Sequence, residues 1–390
     1  VIVAATGLAT HRLNPRFLRH FNVLHCTDPS KASIERIFLV MVEAFFPHLL
    51  NTIKRIAREL VDATFSVYTL VSTNLFPTTN KMHYMFTVRD IFKVIRSLLL
   101  AFSSQQALTI PQLVRLWFHE CLRIFGDRLI TSGDKRWMTK TLMDIGHKFF
   151  PHDVQLSEHI IFCEITGTYE EIPDVDRFVL TMKNYLHDYN SHQNKPMDIY
   201  LFKQAALHLL RVYRTIKQPG GSALLLGTNG SGRQSLARLA SFIAEYEVFE
   251  LTLSRNYSID EWHEDLKKLI KIASLQNKHV VFIFRESQVL SELFMEDVNN
   301  LIHSGYVPDL FPMEEIESMY HSIRAKNTSR KHTSEHMFNT FVNQVKKNLH
   351  VVLCVDHSGM AFRKHIRLFP SLVTCSTVDW YDLWSADALQ

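Results

Sequence analysis

Apolar residues between Ser33 and about Phe150 recur at helical spacing: Ile34, Ile37, Phe38 and Met41, then Leu60, Ala63, Val67 and Leu70. The same spacing returns at Ile91, Val94, Ile95 and Leu98, and at Leu113, Leu116, Trp117 and Phe125. Each set places an apolar stripe on one helix face, so this stretch reads as an all-helical bundle. Asn74 to Asn80, with Pro77, predicts a loop within it, and Thr131 to Lys135 another. Residues 151–196 have no clear period and contain Pro151, Pro173 and Pro196, which predicts a connection with short elements.

Beyond it the pattern changes. A helix is predicted from Met197 to Ile216, then Gln218-Pro-Gly-Gly221 turns the chain into a run of alternating strands and helices. The strands are Ala223 to Leu226, Val248 to Leu253, Val280 to Phe284, Val351 to Val355 and a short one at Leu372 to Cys375. Helices are expected at Ile259 to Ala273, near Glu292 to His303, and through Phe338 to Val345. Such alternation implies a parallel sheet covered on both faces, with ligands held at the carboxyl ends of its strands.

Composition bounds this picture without changing it. The chain has 390 residues, 46% of them hydrophobic and 21% charged, which is enough apolar surface for two or three cored domains. A net charge of +4, with no dense basic run carrying interleaved aromatics, argues against nucleic acid. Arg324 to His332 reads as a solvated basic loop. The most apolar run, Ile37 to Phe46, is short and carries Glu43, so it predicts a buried helix rather than a membrane span. Five scattered cysteines without a CxxC pair suggest a reducing compartment. The 21 histidines form no cluster with metal-ligand spacing, and no metal site is assigned.

The stretch that carries chemistry is Ala223 to Ala240, a buried strand, a glycine-rich turn and a helix in succession. Gly227-Thr-Asn-Gly-Ser-Gly232 lets the backbone bring N–H groups close to an anion, which the positive end of the following helix also favours. The strict phosphate-loop pattern GxxxxGK[ST] runs here through Gly227, Gly230, Ser231 and Gly232 to Arg233, Gln234 and Ser235. Arg233 can hold a phosphate bidentately, but its planar fork cannot occupy the place of a lysine ammonium. Gln234 stands where a hydroxyl would ligate Mg²⁺, and Ser235 points about 100° around the helix from it. The strand Val280 to Phe284 leads into Arg285 and Glu286. Glu286 is the candidate base, while Arg285 puts a fixed positive charge where an Asp would support the metal. These residues predict nucleotide binding without fast hydrolysis.

An internal echo adds to this. Val1 to Ala5, then Arg19-His-Phe21 with Val23 and Leu24, parallels Val351 to Val355, then Arg367-Leu-Phe369 with Leu372 and Val373. The chain reads as the tail of one α/β module, its helical lid, and the α/β part of a second.

Six motifs then carry a family resemblance. Arg16-Phe-Leu-Arg-His-Phe-Asn22, His83-Tyr-Met-Phe-Thr-Val-Arg-Asp90, Pro111-Gln-Leu-Val-Arg-Leu-Trp-Phe-His-Glu120, Gly230-Ser-Gly-Arg-Gln-Ser-Leu236, Asp297-Val-Asn-Asn-Leu301 with Val307-Pro-Asp-Leu-Phe311, and Phe369-Pro-Ser-Leu-Val373 resemble dynein heavy chains of the axonemal type. The resemblance runs nearly end to end. It implies an α/β fold, a P-loop AAA+ parallel sheet flanked by helices and preceded by an all-α lid. It divides the chain into a remnant of a large subdomain at 1–30, a lid at 31–150, a connection at 151–196 and a large subdomain at 197–390.

The resemblance also implies function. It points to an ATP-driven, minus-end-directed microtubule motor of cilia or flagella, built as a ring of six modules, with the third and fourth regulating. The cofactor is ATP or ADP, and Gln234 and Arg285 oppose Mg²⁺. Carried over by position, Gly227, Gly230, Gly232, Arg233 and Ser235 match the fourth module's phosphate loop, and Arg89 the third lid's nucleotide-sensing arginine. Arg363 and Arg367 lie where an arginine finger would reach the third module's site, and Arg16 and Arg19 where one would reach the second's. Partners are the rest of the motor ring and other dynein chains, with microtubules met only through regions outside this stretch; neither nucleic acid nor membrane is expected. Neither nucleotide site is complete within the stretch, so negligible turnover is expected of it alone. A non-catalytic remnant kept for packing or partner contacts is the other reading.

Overall fold

The computed structural model describes residues 14–24, 27, 29–45, 51–104, 109–150, 154–157, 160–164, 169–192, 196–326, 334–357, 359–382 and 384. After a single helical turn, α1 (Pro15–Leu18), come five helices: α2 (Lys31–Phe45), α3 (Asn51–Asn74), α4 (Val88–Ser104), α5 (Ile110–Cys121) and α6 (Ser132–Phe149). The helical stripes pack largely as the spacing predicts, with Leu70 of α3, 40% exposed, an exception. Val67 and Val71 of α3, Val94 and Leu98 of α4, Trp117 and Phe118 of α5 and Leu142 of α6 share one core. Ile34 and Phe38 of α2 meet Val61, Ile91, Ile95 and Leu99 in a second, smaller one.

A two-residue antiparallel pair, β1 (Phe162–Cys163) with β2 (Glu170–Glu171), leads to helices α7 (Val175–His192) and α8 (Lys203–Lys217). Then β3 (Ala223–Leu226), α9 (Arg233–Ile243), β4 (Glu247–Glu250), α10 (Ile259–Leu275), β5 (Val280–Arg285), α11 (Glu292–Ser304), α12 (Met313–Lys326), α13 (Ser334–Asn348), β6 (Leu349–Val355), α14 (Met360–Leu368), α15 (Ser371–Thr374) and β7 (Thr377–Trp380) follow. The five long strands form one parallel sheet in the order β4-β5-β6-β3-β7.

The sheet alternates sides with every residue. Leu224, Leu226, Phe282, Phe284, Val351 and Leu353 face Trp262 and Leu266 of α10, Phe294 and Val298 of α11 and Phe341 of α13. Ala223, Leu225, Val281, Ile283, Val352 and Cys354 face Leu209 and Tyr213 of α8 and Leu236, Leu239 and Ala240 of α9. Both faces of the central strands β3, β5 and β6 are dry, which is why these three read as continuous apolar runs.

Several expectations need correction. Residues 151–196 contain the 18-residue helix α7, whose Phe178 and Met182 join the core on the α8–α9 side of the sheet, so the stretch is more than a connection. Its prolines fall outside the helix and masked its period. Thr131 caps α6 by accepting from the Asp134 N–H, so the expected loop at Thr131–Lys135 is already a helix start. Leu372 to Cys375 is not a strand; Ser371–Thr374 makes one helical turn, and the last strand follows at Thr377–Trp380. On α2, Ile37 and Val40 are more than half exposed, so this helix is not buried all round. Val1 to Ala5 and most of Arg324–His332 lie outside the described residues; Arg324 itself belongs to α12. No described helix is long and apolar enough to cross a membrane.

Buried charges tie the helical bundle to the sheet. Glu120 of α5, fully buried, pairs with Arg214 of α8 and accepts from the Tyr169 hydroxyl at 2.7 Å. Arg211 of α8 bridges Asp127, just after α5, at 3.2 Å and Asp379 of β7 at 2.9 Å. His208 meets the other Asp379 oxygen at 2.8 Å, and the Trp380 N–H donates to the Asp127 carbonyl at 3.0 Å. Burial opposes the Asp379 charge, yet His208 and Arg211 hold its carboxyl below the usual range.

Arg214→Met should leave Glu120 charged and unpaired in a dry interior and lower stability by about 3–5 kcal/mol, with Glu120→Gln in the same chain recovering part of it; urea titrations of the parent chain and the two variants test this. Burial pushes the imidazoles of His83 and His350 down to about 4, so both are neutral in the fold. Unfolded, they protonate near 6.5, so their contribution is complete above that pH and is lost as pH falls towards 4, by up to about 3 kcal/mol each. Denaturation at pH 7.5 and pH 5 should show the drop, and His350→Gln should make it shallower.

Candidate nucleotide-binding site

The carboxyl end of β3 runs straight into the glycine loop, and α9 starts from its last glycine. Gly232 is the N-terminal cap of α9 with φ of 81°, and Gly230 has φ of 83°, both in the left-handed region that a side chain would strain. At Gly227 a Cβ would come within 2.8 Å of Tyr381 Cβ, so packing against the chain after β7 demands glycine there. The loop is anchored by the Gly227 N–H donating to the Val355 carbonyl at 3.3 Å.

Arg233 is buried, and its guanidinium spans the loop, donating to the Val355 carbonyl and, at 3.0 Å, to the Thr228 carbonyl. It braces the loop against the end of β6. The Gln234 amide donates to Glu250 at the end of β4 at 3.1 Å, and Arg238 binds the same carboxylate through two contacts at 2.5 and 2.6 Å. Ser235 lies one position further on α9 and half-buried. Glu286 follows β5, where one carboxylate oxygen accepts from the Asp356 N–H at 2.8 Å. The Arg285 N–H donates to the Gln288 side chain, which in turn donates to the Leu251 carbonyl, at 2.9 and 3.0 Å. This fixes the corner between β5 and β4 that presents Glu286.

These groups surround a cleft of about 850 Å³ that takes in Asn229 to Leu236, Arg285, Glu286 and Asp356 at one end. Aromatic residues Tyr200, Phe202, Tyr381 and Trp384 line the remainder, with Tyr381 stacked on His208 at 4.0 Å and Phe202 near Trp384 at 5.7 Å. The Ser231 hydroxyl and the Tyr381 hydroxyl are buried without a partner, so two polar groups of the cleft wall are left for a ligand. A glycine cradle at a helix N-terminus beside an aromatic-walled cleft fits a nucleotide. On the metal side the fit fails: Gln234 is tied to Glu250, Glu286 to the Asp356 backbone, and Arg285 is a cation.

The candidate arginines lie elsewhere. Arg89 reaches from α4 to Cys375 Sγ, and Arg363 of α14 donates to Asn80 at 3.5 Å, so both cross the junction between bundle and sheet. Arg367, Arg16 and Arg19 are exposed, Arg19 donating to His20 at 3.1 Å. None of the five lines the cleft. Sequence reasoning missed Glu250, His208, Tyr381 and Trp384. The signal was Trp380-Tyr-Asp-Leu-Trp384, an aromatic run that would follow the last strand had that strand been placed correctly.

A five-stranded parallel sheet in this order, with a glycine loop after β3 and an acidic residue after β5, defines an AAA+ module of the P-loop class. The family described as "P-loop containing dynein motor region D4" matches residues 197–390, and "Dynein heavy chain, ATPase lid domain" matches residues 38–135. The chain belongs to the dynein heavy chains, as a segment of their AAA+ motor region, and its kin are of the axonemal type. It is 36% identical over 401 residues to dynein axonemal heavy chain 6 of Homo sapiens, covering 99% of this chain and 10% of that protein. It is 35% identical over 408 residues to dynein axonemal heavy chain 1 of Mus musculus, covering 98% and 10%. The Dynein-1-beta heavy chain of the flagellar inner arm I1 complex of Chlamydomonas reinhardtii is 35% identical over 406 residues, covering 99% and 9%. The chain thus spans about a tenth of the length of these relatives.

Arg233→Ala removes two donors from the Val355 and Thr228 carbonyls, and should lower stability by about 1–3 kcal/mol, seen as a reduced melting temperature without ligand.

Proposed function

We propose that this chain is a regulatory, nucleotide-binding part of an axonemal dynein motor, holding ATP or ADP with weak or no hydrolysis. The observation that carries this is the pairing of an intact glycine cradle with a disabled metal side. Gly230 and Gly232 keep the left-handed turns a phosphate loop needs, while Gln234 is bound to Glu250 where a hydroxyl would meet Mg²⁺. Phosphoryl transfer depends almost wholly on positioning and charge stabilisation, so losing the metal shell slows it far more than it weakens binding.

The assignment to the axoneme follows the names of the relatives, and the remaining motor ring and microtubule movement follow the family resemblance; all are part of the same proposal. Glu286 is the residue best placed to orient a water, and Arg363 with Arg367 are the candidates to reach the neighbouring site. One observation favours a purely structural role: Arg233 is already satisfied by two carbonyls, so the loop closes on itself without a phosphate.

Binding of a fluorescent ADP, with and without Mg²⁺, separates the two. The regulatory reading expects a dissociation constant in the micromolar range, about 8 kcal/mol, insensitive to Mg²⁺ and lost in Arg233→Ala. Absence of binding to a folded chain, extended through the lid that follows in the relatives, favours the structural role. Steady-state phosphate release should stay at background; release that Glu286→Gln abolishes would refute weak hydrolysis.

A further inference from the structure

A second cleft, of about 600 Å³, lies at the opposite end of the sheet from the glycine loop, where α4 of the helical bundle faces the amino ends of β3, β6 and β7. Its walls carry Arg89, Lys93, Arg96, Lys346, Lys347 and His303, and no Asp or Glu lines it among the described residues. Arg89, Lys93 and Arg96 share one face of α4, at spacings of four and three residues. Lys346 and Lys347 close α13.

The turn Pro219–Gly221 draws the two sides together. Arg96 donates to the Pro219 carbonyl at 2.8 Å, and the next N–H, of Gly220, donates to the Lys347 carbonyl at 3.3 Å. Gly220 has φ of 68°, and a Cβ there would meet the Lys346 carbonyl at 2.6 Å, so only glycine allows so close a floor. At the other end Arg89 and Lys346 flank His303, and partial burial together with these two charges holds its imidazole below the usual range.

The charges are not balanced internally. Asp90, on α4 itself, is shared between Arg128 at 2.8 Å and Lys93 at 3.4 Å. Lys93 also donates to the Thr374 and Ser376 carbonyls, which with Asp90 occupies its three N–H groups, whereas Arg96, half-buried, has its charge opposed by burial with no carboxylate paired to it among the described residues. Gathering like charges in a concave, partly dry site raises the local potential and selects a multiply charged anion. Arginine forks and lysine ammoniums together suit phosphate oxygens.

We infer that this cleft binds a phosphate-bearing polyanion, held by Arg96 and Lys346 with Arg89, at a site separate from the glycine loop. Resemblance gives Arg89 alone a nucleotide-sensing role; the remaining cations belong to no assigned site.

Pyrophosphate titrated by calorimetry into the full chain, with and without Arg233→Ala so that any binding at the glycine loop is told apart from binding here, tests this. Saturable binding is expected, weakened about tenfold by Arg96→Gln together with Lys346→Gln. Because Arg96 also braces the turn, Lys346→Gln alone, at an exposed position, should weaken binding with an unchanged melting temperature. The His303 ring, followed by NMR, should titrate at higher pH when pyrophosphate is bound. Repeating the titration with ADP distinguishes sources: equal affinity assigns the site to the phosphates alone, and tighter binding to a nucleotide. No saturable binding, or binding that these substitutions leave unchanged, would overturn the inference.

Discussion

The contact on which the arrangement rests is the buried charge network that fastens the helical bundle to the sheet. Arg211 stands between Asp127 and Asp379, His208 completes Asp379, and Arg214 pairs with Glu120. Each charge is removed from water, so each needs its partner, and no member can move without stranding another. An apolar interface tolerates sliding; a network of directional ion pairs fixes one register. The bundle and the α/β part therefore behave as one body at this junction.

That body frames the cleft. The same network runs beneath it: Tyr381 stacks on His208, and the backbone after β7 bonds to Leu226 at the end of β3. Asp127 and Arg123, from the bundle, share the cleft wall with the glycine loop. The glycine loop is braced from a third direction, by Arg233 onto β6. A lysine ammonium has no planar fork with which to make both bonds, and the arginine here acts as a strut within the protein as much as a hook for phosphate.

The proposed function rests on a glycine cradle that keeps its left-handed turns beside a Gln234 side chain already bonded to Glu250. Under that proposal the site acts by binding alone, since a ligand that favours one conformation shifts the balance between conformations without being turned over. Gln234 bonded to Glu250, and Arg285 at the strand end, are the two features from which the proposal takes slow turnover.

The sequence by itself determined the class of fold, the all-helical bundle, four of the five long strands and the phosphate loop. Those features are local: helical period, apolar strand runs and glycine spacing are written in neighbouring residues. The last strand was misplaced because Leu372 and Val373 look like strand residues, and only packing against α11 and the sheet makes them a helical turn. Helix α7 was missed because flanking prolines broke the pattern that reveals it. Tertiary structure alone decided where the charges go: Arg211 to Asp379, 168 positions apart, Arg89 to Cys375, 286 apart, and Arg233 to Val355 rather than to open cleft. Long flexible charged side chains carry no local signal of their partners, since burial and counter-charge are set by whichever elements the fold brings beside them.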